Sequence, residues 1–388
     1  MKKLSKGMIL ILLIGCVSLF ADFTYEGAWS IIPQYLTTGL GLSVFTLGVV
    51  VGIAQFLGYA VRFFSGRYAS KTKRYWGVIF TGYTINLFAV PLLALTGNYI
   101  VAIALIIAES VGKGIRSPPR DYVISEAAKK GNVGKAFAIE EGLDQIGAIV
   151  GPLSIAIMLF YHFGYRSAFA MLAIPALLSL SILTLAYNHY KKSKITAPPV
   201  SNDNILSRRQ FLMYAAGIAI SAAGVYNIAF VLYKSQGVTA QFLIPIVFLF
   251  AMASEGLFGF VFGFLYDKAG KNLVYVGLAL AALVPLSLAH PTGAMLFVSS
   301  ILIGATLGVQ DTVMRSVVGE MVSKEKRAYS FGIFNGLYGF GLLVAGIVIG
   351  AIYYSSTMLI GYVVILQLIA GVMIFSAFRR ATSSAARQ

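Results

Sequence analysis

The chain has 388 residues, 58% of them apolar and only 11% charged, with a mean hydropathy of +0.83. An ordinary globular domain carries roughly 25% charged residues, so a water-soluble fold is excluded. The formal net charge of +16 would point to nucleic acid only if the basic residues formed one patch, and the single cysteine, Cys16, leaves no internal disulfide and no cysteine-based zinc or redox motif.

Crossing about 30 Å of hydrocarbon takes about 20 mostly apolar residues at about 1.5 Å each. Twelve such stretches are expected, near 7–32, 43–63, 75–95, 99–117, 135–160, 166–187, 209–232, 240–265, 273–289, 293–314, 328–353 and 357–378. They predict an all-α membrane protein of 12 transmembrane helices, with six-helix bundles at 1–188 and 209–388 and a cytoplasmic linker at 189–208. On this topology every lysine and arginine except Arg166 and Lys234 falls on one side, which the positive-inside rule makes cytoplasmic. The expectation is a multi-pass protein of the cell membrane with both termini cytoplasmic. The basic charge is then a topology signal: membrane lipids surround the chain and no nucleic acid is expected as a partner. Met1-Lys2-Lys3 ahead of the apolar run to Cys16 looks like a lipoprotein signal, but that run continues through Phe20, and cleavage would put the basic loops on inconsistent sides.

In chain order, span one carries Asp22, Tyr25 and Glu26; span four Glu109; span five Glu140, Glu141 and Asp144; span eight Glu255; and span ten Asp311. A charged side chain at the bilayer centre costs on the order of 3 kcal/mol, so these acids are expected to face a cavity, pair, or hold a proton. Depths of about 22 Å for Asp22 and about 15 Å for Glu109 and Asp144, from the helical rise, cluster those three near the midplane. Asp22 and Glu26 are i,i+4, as are Glu140 and Asp144, so each pair lines one face while Glu141 points about 100° away. Two carboxyls sharing an apolar face are suited to exchanging protons. Asp22, Glu26, Glu109, Glu140, Glu141 and Asp144 are therefore the candidates for proton coupling or cation binding. For Glu109 a structural ion pair with Lys113 or Arg116 is an equal alternative.

The halves repeat. Laid over one another they place Glu126 on Glu320, Phe137 on Phe331, Gly142 on Gly336 and Gly147 on Gly341, and Tyr25-Glu26 on Tyr226-Asn227. The second-half counterparts of the acids are apolar, amide or phenol: Ala223 for Asp22, Asn227 for Glu26, Phe334 for Glu140, Asn335 for Glu141 and Tyr338 for Asp144. Tyr25, Tyr226, Asn227, Glu255, Asn335 and Tyr338 are thus the substrate-binding candidates. Arg116, Arg120, Asp121, Asp267, Lys268, Lys271, Asp311 and Arg315, at expected cytoplasmic helix ends, are the gating candidates.

A parallel six-plus-six repeat resembles the major facilitator superfamily, whose substrate site lies between the halves near the midplane. The loop Gly263-Phe264-Leu265-Tyr266-Asp267-Lys268-Ala269-Gly270-Lys271 matches every fixed position of that superfamily's G-x-x-x-D-(R/K)-x-G-(R/K) motif. Its first-half equivalent keeps Gly66 but has Ser70 for the aspartate and Lys73 for the second glycine. Asp22 to Glu26, with Gly112-Lys113-Gly114-Ile115-Arg116 and Arg120-Asp121, is similar to a prokaryotic permease group of the superfamily with D-x-x-x-E in span one and G-K-G-x-R-x-x-x-R-D after span four. Gly147-Ala148-Ile149-Val150-Gly151-Pro152 resembles the core of the superfamily's antiporter motif, with Ile155 and Ala156 in place of the trailing glycine pair. Close helix packing explains those glycines equally well.

His162, His189 and His290 lie near span ends without ligand-spaced partners, so no metal site is expected, and no phosphate-cradling G-x-x-x-x-G-K-(S/T) loop occurs. No cofactor is expected and the chain is not expected to be an enzyme. The resemblance implies a secondary transporter, expected as a monomer. It would be a proton-coupled antiporter exporting a small organic solute, with protons, or sodium, as the coupling ion. An uncoupled facilitator or a proton-coupled importer are the nearest alternatives. A membrane sensor or lipid-processing enzyme is more remote.

Overall fold

The computed structural model describes residues 5–128, 132–193, 208–322 and 327–385. Most of the expected linker and the basic residues Lys129, Lys130, Lys194, Lys324 and Lys326 lie outside the described residues. Among those described, helices account for nearly all secondary structure, in twelve successive segments. These are α1 (Lys6–Trp29), α2 (Val44–Thr72), α3 (Tyr75–Leu92), α4 (Tyr99–Ala127), α5 (Val133–Phe160) and α6 (Tyr165–Met171 and Ala173–Ser193). The second half supplies α7 (Arg208–Ala223 and Ile228–Ser235), α8 (Ile244–Ala269), α9 (Val274–Ser287), α10 (Gly293–Val309, continued through Arg315–Met321), α11 (Arg327–Ile352) and α12 (Ser356–Ala385).

Among the described residues, ten runs are long and apolar enough to cross a membrane. One of them, Gln241–Ser287, contains both α8 and α9, separated at Gly270, whose φ of +64° suits a residue without Cβ. The remaining segment, α4, falls outside the ten because it carries Glu109, Lys113, Arg116, Arg120, Asp121 and Glu126.

That helix corrects an expected boundary. Span four was expected to stop at 117, before Pro118-Pro119, because proline removes an amide donor and crowds the preceding turn. Instead α4 runs through both prolines to Ala127. The G-K-G-x-R-x-x-x-R-D stretch therefore lies inside a helix and not in the loop that follows it. Its start conforms to expectation: Asn98 caps it, accepting from the Ile100 amide at 2.8 Å.

Contacts divide the chain into two compact units, Met1–Leu36 with Phe64–Val200 and Gln241–Leu249, and Thr37–Phe63 with Ser201–Ala240 and Phe250–Gln388. In the first unit α1 packs on α5 and α6, and α3 on α4. The approach of α1 to α5 is close because Gly147 and Gly151 lie against the backbone of Leu19, Phe23 and Gly27. This packing accounts for the glycines of the antiporter-like motif. In the second unit α7 packs on α11 and α12, and α9 on α10 and α12. Its core holds the near-parallel rings of Tyr214, Phe334 and Phe378, with the Tyr214 hydroxyl donating to the Met314 carbonyl at 3.1 Å.

Candidate functional site

The acids of the first unit converge on one face of α4. Lys113, Arg116 and Arg120 stand at i, i+3 and i+7, a single helical face, and each reaches a carboxylate on a neighbouring helix. Lys113 Nζ lies 3.5 Å from Glu26 Oε1. Arg116 Nη2 is 3.9 Å from Asp22 Oδ1. Arg120 Nη1 is 2.9 Å from Glu140 Oε1. The ladder thus ties α1, α4 and α5 together inside one unit.

Its rungs are held unequally. Arg116 has a side chain only 1% exposed, donates to the Tyr83 hydroxyl at 3.0 Å and sits 4.4 Å from the centre of that ring. Gly82 on α3 makes this possible, since a Cβ there would stand 2.6 Å from the Arg116 amide nitrogen. Arg120 also bonds Asp121 Oδ1 at 2.9 and 3.0 Å and Ser18 at 3.2 Å, while Ser18 donates to Glu140 at 2.6 Å. Lys113 is the looser member, with 35% of its side chain exposed and its ammonium 4.0 Å from the centre of the Tyr25 ring.

Glu109 is satisfied without an ion pair to Lys113 or Arg116 among the described residues. It accepts from Asn86 Nδ2 at 2.9 Å, Trp29 Nε1 at 3.1 Å and Ser110 Oγ at 2.9 Å. Glu141 points away from the ladder, exposed and bonded to Gln145 at 3.2 Å, as the angular argument required.

Asp144 faces Asp22. Oδ1 of each is buried and receives no hydrogen bond from any donor among the described residues. Ionised carboxylates only accept, so a bond between them requires that one hold a proton.

The second-unit candidates do not gather in this way. Asn227 caps a helix: α7 breaks after Ala223 and restarts at Ile228, with Asn227 accepting from the Ala229 amide at 2.8 Å. Tyr226 is 2% exposed and packs its ring 5.6 Å from that of Phe230. Tyr338 donates a short hydrogen bond to Gln310, in the π-helical turn of α10, and meets the Tyr59 ring edge-on at 5.0 Å. Asn335 and Glu255 are partly buried. Asp311 pairs with Arg315 at 2.9 Å within that stretch of α10. Asp267 and Lys268 are exposed at the end of α8, and the Lys271 ammonium lies 4.6 Å from the Phe378 ring.

Arg116 and Arg120, two of the gating candidates, are both members of this ladder. The sequence reading missed Ser18, Trp29, Tyr83, Asn86 and Gln310. Asn86 and Gln310 carried a signal, since a fully buried amide in an apolar span has the same need for partners as a buried acid. Serine, tryptophan and tyrosine are too common in spans to stand out.

The family model for the Major Facilitator Superfamily matches residues 14–294 and 250–388. An uncharacterized protein of Mycobacterium tuberculosis is 34% identical over 373 residues, covering 93% of this chain and 91% of its own. An uncharacterized MFS-type transporter of Methanocaldococcus jannaschii is 26% identical over 397 residues, covering 96% and 95%. A class H tetracycline resistance protein of Pasteurella multocida is 27% identical over 172 residues, 42% of this chain and 40% of its own. Among solved structures, a mutant of the nucleoside transporter NupG superposes with a TM-score of 0.74 at 17% identity, covering 94% and 99% of the two chains. A POT family transporter in complex with a thioalcohol-conjugated peptide gives 0.77 at 14%, covering 96% of each. At these identities the structures share the fold.

Proposed function

The chain belongs to the major facilitator superfamily, and we propose that within this family of transporters it is a proton-coupled antiporter that exports a small organic solute. The observation that carries this reading is that Asp22 and Asp144 each keep a buried Oδ1 that no donor among the described residues reaches, an acceptor that a proton would satisfy. Residues 1–188 and 209–388 serve as the two bodies whose rocking alternates access. Protons from the outside neutralise Asp22, Asp144 and Glu26, and the neutral acids release solute acquired from the cytoplasm. Return of the protons inside re-forms the ion pairs with Arg116 and Lys113. Arg120 keeps Glu140 in place on the same face of α4 while these pairs open and close, so a change at one acid is felt along that face.

The test is flux in proteoliposomes with and without an imposed pH gradient, over organic cations, organic anions and sugars. Gradient-dependent flux of one class is expected. In Asp144→Asn that dependence disappears while exchange of labelled for unlabelled solute survives. Wild-type flux indifferent to the gradient would leave a facilitator and remove the coupling role of the pair.

A further inference from the structure

Five carboxyls, those of Asp22, Glu26, Glu109, Glu140 and Asp144, share the interior of the first unit with three cations, Lys113, Arg116 and Arg120. That leaves an excess of negative charge to be balanced by protons or by a further cation. In an apolar bundle such an excess favours binding a cation. Of the three cations present, two cannot leave: Arg116 is enclosed by Tyr83, and Arg120 is tied to Glu140, Asp121 and Ser18. Lys113 can. The only hydrogen bond its ammonium makes among the described residues is the long one of 3.5 Å to Glu26, its side chain is a third exposed, and its ammonium rests on the Tyr25 ring.

A carboxylate and an aromatic face on one ammonium form a site with the chemistry of organic-cation recognition, because the ring quadrupole and the ion pair act on the same charge. Trp29, one turn beyond Glu26 on α1, has its indole held by Glu109, the neighbour of Lys113 one turn back on α4. Asp22, 3% exposed, keeps an Oδ1 without a hydrogen-bond donor on the next turn down.

We propose that Glu26 and Tyr25 are the substrate's cation site, that Lys113 is a tethered stand-in occupying it when the transporter is empty, and that the substrate class is a primary alkyl- or aralkylammonium. This deepens the antiport reading above and rests on it. Substrate arrival expels the Lys113 head toward its exposed side. Substrate departure lets Lys113 return, so the carboxylate is never left uncompensated. Protons compete for the same oxygens. The charged groups around Glu26 are Asp22 on its own helix, Glu109, Lys113 and Arg116 on α4, and Asp144 on α5, and protonation of Glu26 itself removes the charge that holds the ligand.

The chain has two tryptophans, so Trp76→Phe leaves Trp29 as sole reporter beside the site. Purified full-length Trp76→Phe protein is titrated with benzylammonium, with benzoate as the isosteric anion and with benzyl alcohol as the neutral analogue. The expected result is a change of Trp29 emission with benzylammonium alone. Its apparent Kd should weaken with falling pH, by at most tenfold per unit, over the range in which Glu26 takes up a proton. Lys113→Met, by removing the tethered competitor, should tighten benzylammonium tenfold or more, and Glu26→Gln should abolish the response. Where Lys113→Met does not purify as a monodisperse species, Lys113→Gln removes the charge while keeping a polar head. Benzoate binding that is lost with Lys113 would overturn the proposal in favour of an anionic substrate. A cation response weakened by loss of Lys113, or none in either background, would also overturn it. These readouts are binding and not flux, so they can fail while gradient-driven transport through Asp22 and Asp144 stands, and the converse.

Discussion

Gly147→Ala tests whether the contact between α1 and α5 sets the Asp22–Asp144 geometry. A Cβ at this position would stand 2.9 Å from the Leu19 carbonyl carbon and 3.0 Å from the Phe23 nitrogen, with the Leu19 oxygen closer still. All three are backbone atoms of a packed helix, so no rotamer change relieves them. Restoring ordinary contact distances separates the helices by on the order of 1 Å, and overpacking of this kind costs about 1–3 kcal/mol. The same displacement acts one turn from Asp144 and between Leu19 and Phe23, the residues that bracket Asp22. A hydrogen bond between carboxyls does not survive being lengthened by that amount. The expected outcome is a thermal midpoint in detergent several degrees below wild type, together with loss of pH-gradient dependence in proteoliposomes greater than the loss of solute exchange. Gly142→Ala, where a Cβ meets nothing within 4 Å, is the control and should leave both unchanged. If Gly147→Ala keeps the wild-type midpoint and full gradient dependence, the inference from helix approach to acid pairing is wrong.

Arg116→Lys should abolish transport and cost about 2–3 kcal/mol in stability, because an ammonium cannot both stack on Tyr83 and reach Asp22. Thermal unfolding and flux measured on one preparation check both. Tyr338→Phe leaves the buried Gln310 amide short of a donor and should lower stability by about 1–3 kcal/mol, yet gradient dependence should persist, since that dependence belongs to the other unit. Gly270→Ala places a Cβ at a φ of +64° and should cost about 1–2 kcal/mol, read as a lowered midpoint with substrate selectivity unaltered.

Most of the spans were legible because each follows from a length of apolar sequence, and the i,i+4 spacing of Asp22 with Glu26 and of Glu140 with Asp144 already fixed which carboxyls share a face. The partners were not legible. That Arg116 meets Asp22, or Arg120 meets Glu140, depends on which helices lie side by side and at what height, and nothing local to α4 encodes that. Pro118-Pro119 made matters worse, since a rule about isolated backbone hydrogen bonds ended a helix that packing carries onward. Asn227 has a local role that its alignment with Glu26 does not reveal: it caps the helix that restarts at Ile228.

The ladder on α4 has an electrical consequence. From Lys113 to Arg120 is seven residues, about 10 Å along the helix axis, or roughly a third of the hydrocarbon thickness. An elementary charge crossing the full membrane gains about 2.3 kcal/mol per 100 mV, so one passed from the level of Glu26 to that of Glu140 senses on the order of 0.8 kcal/mol per 100 mV. The rungs therefore lie at different potentials in an energised cell. Ion pairs that are equivalent in a depolarised vesicle become ranked by depth, and voltage biases which carboxyl gives up its proton first.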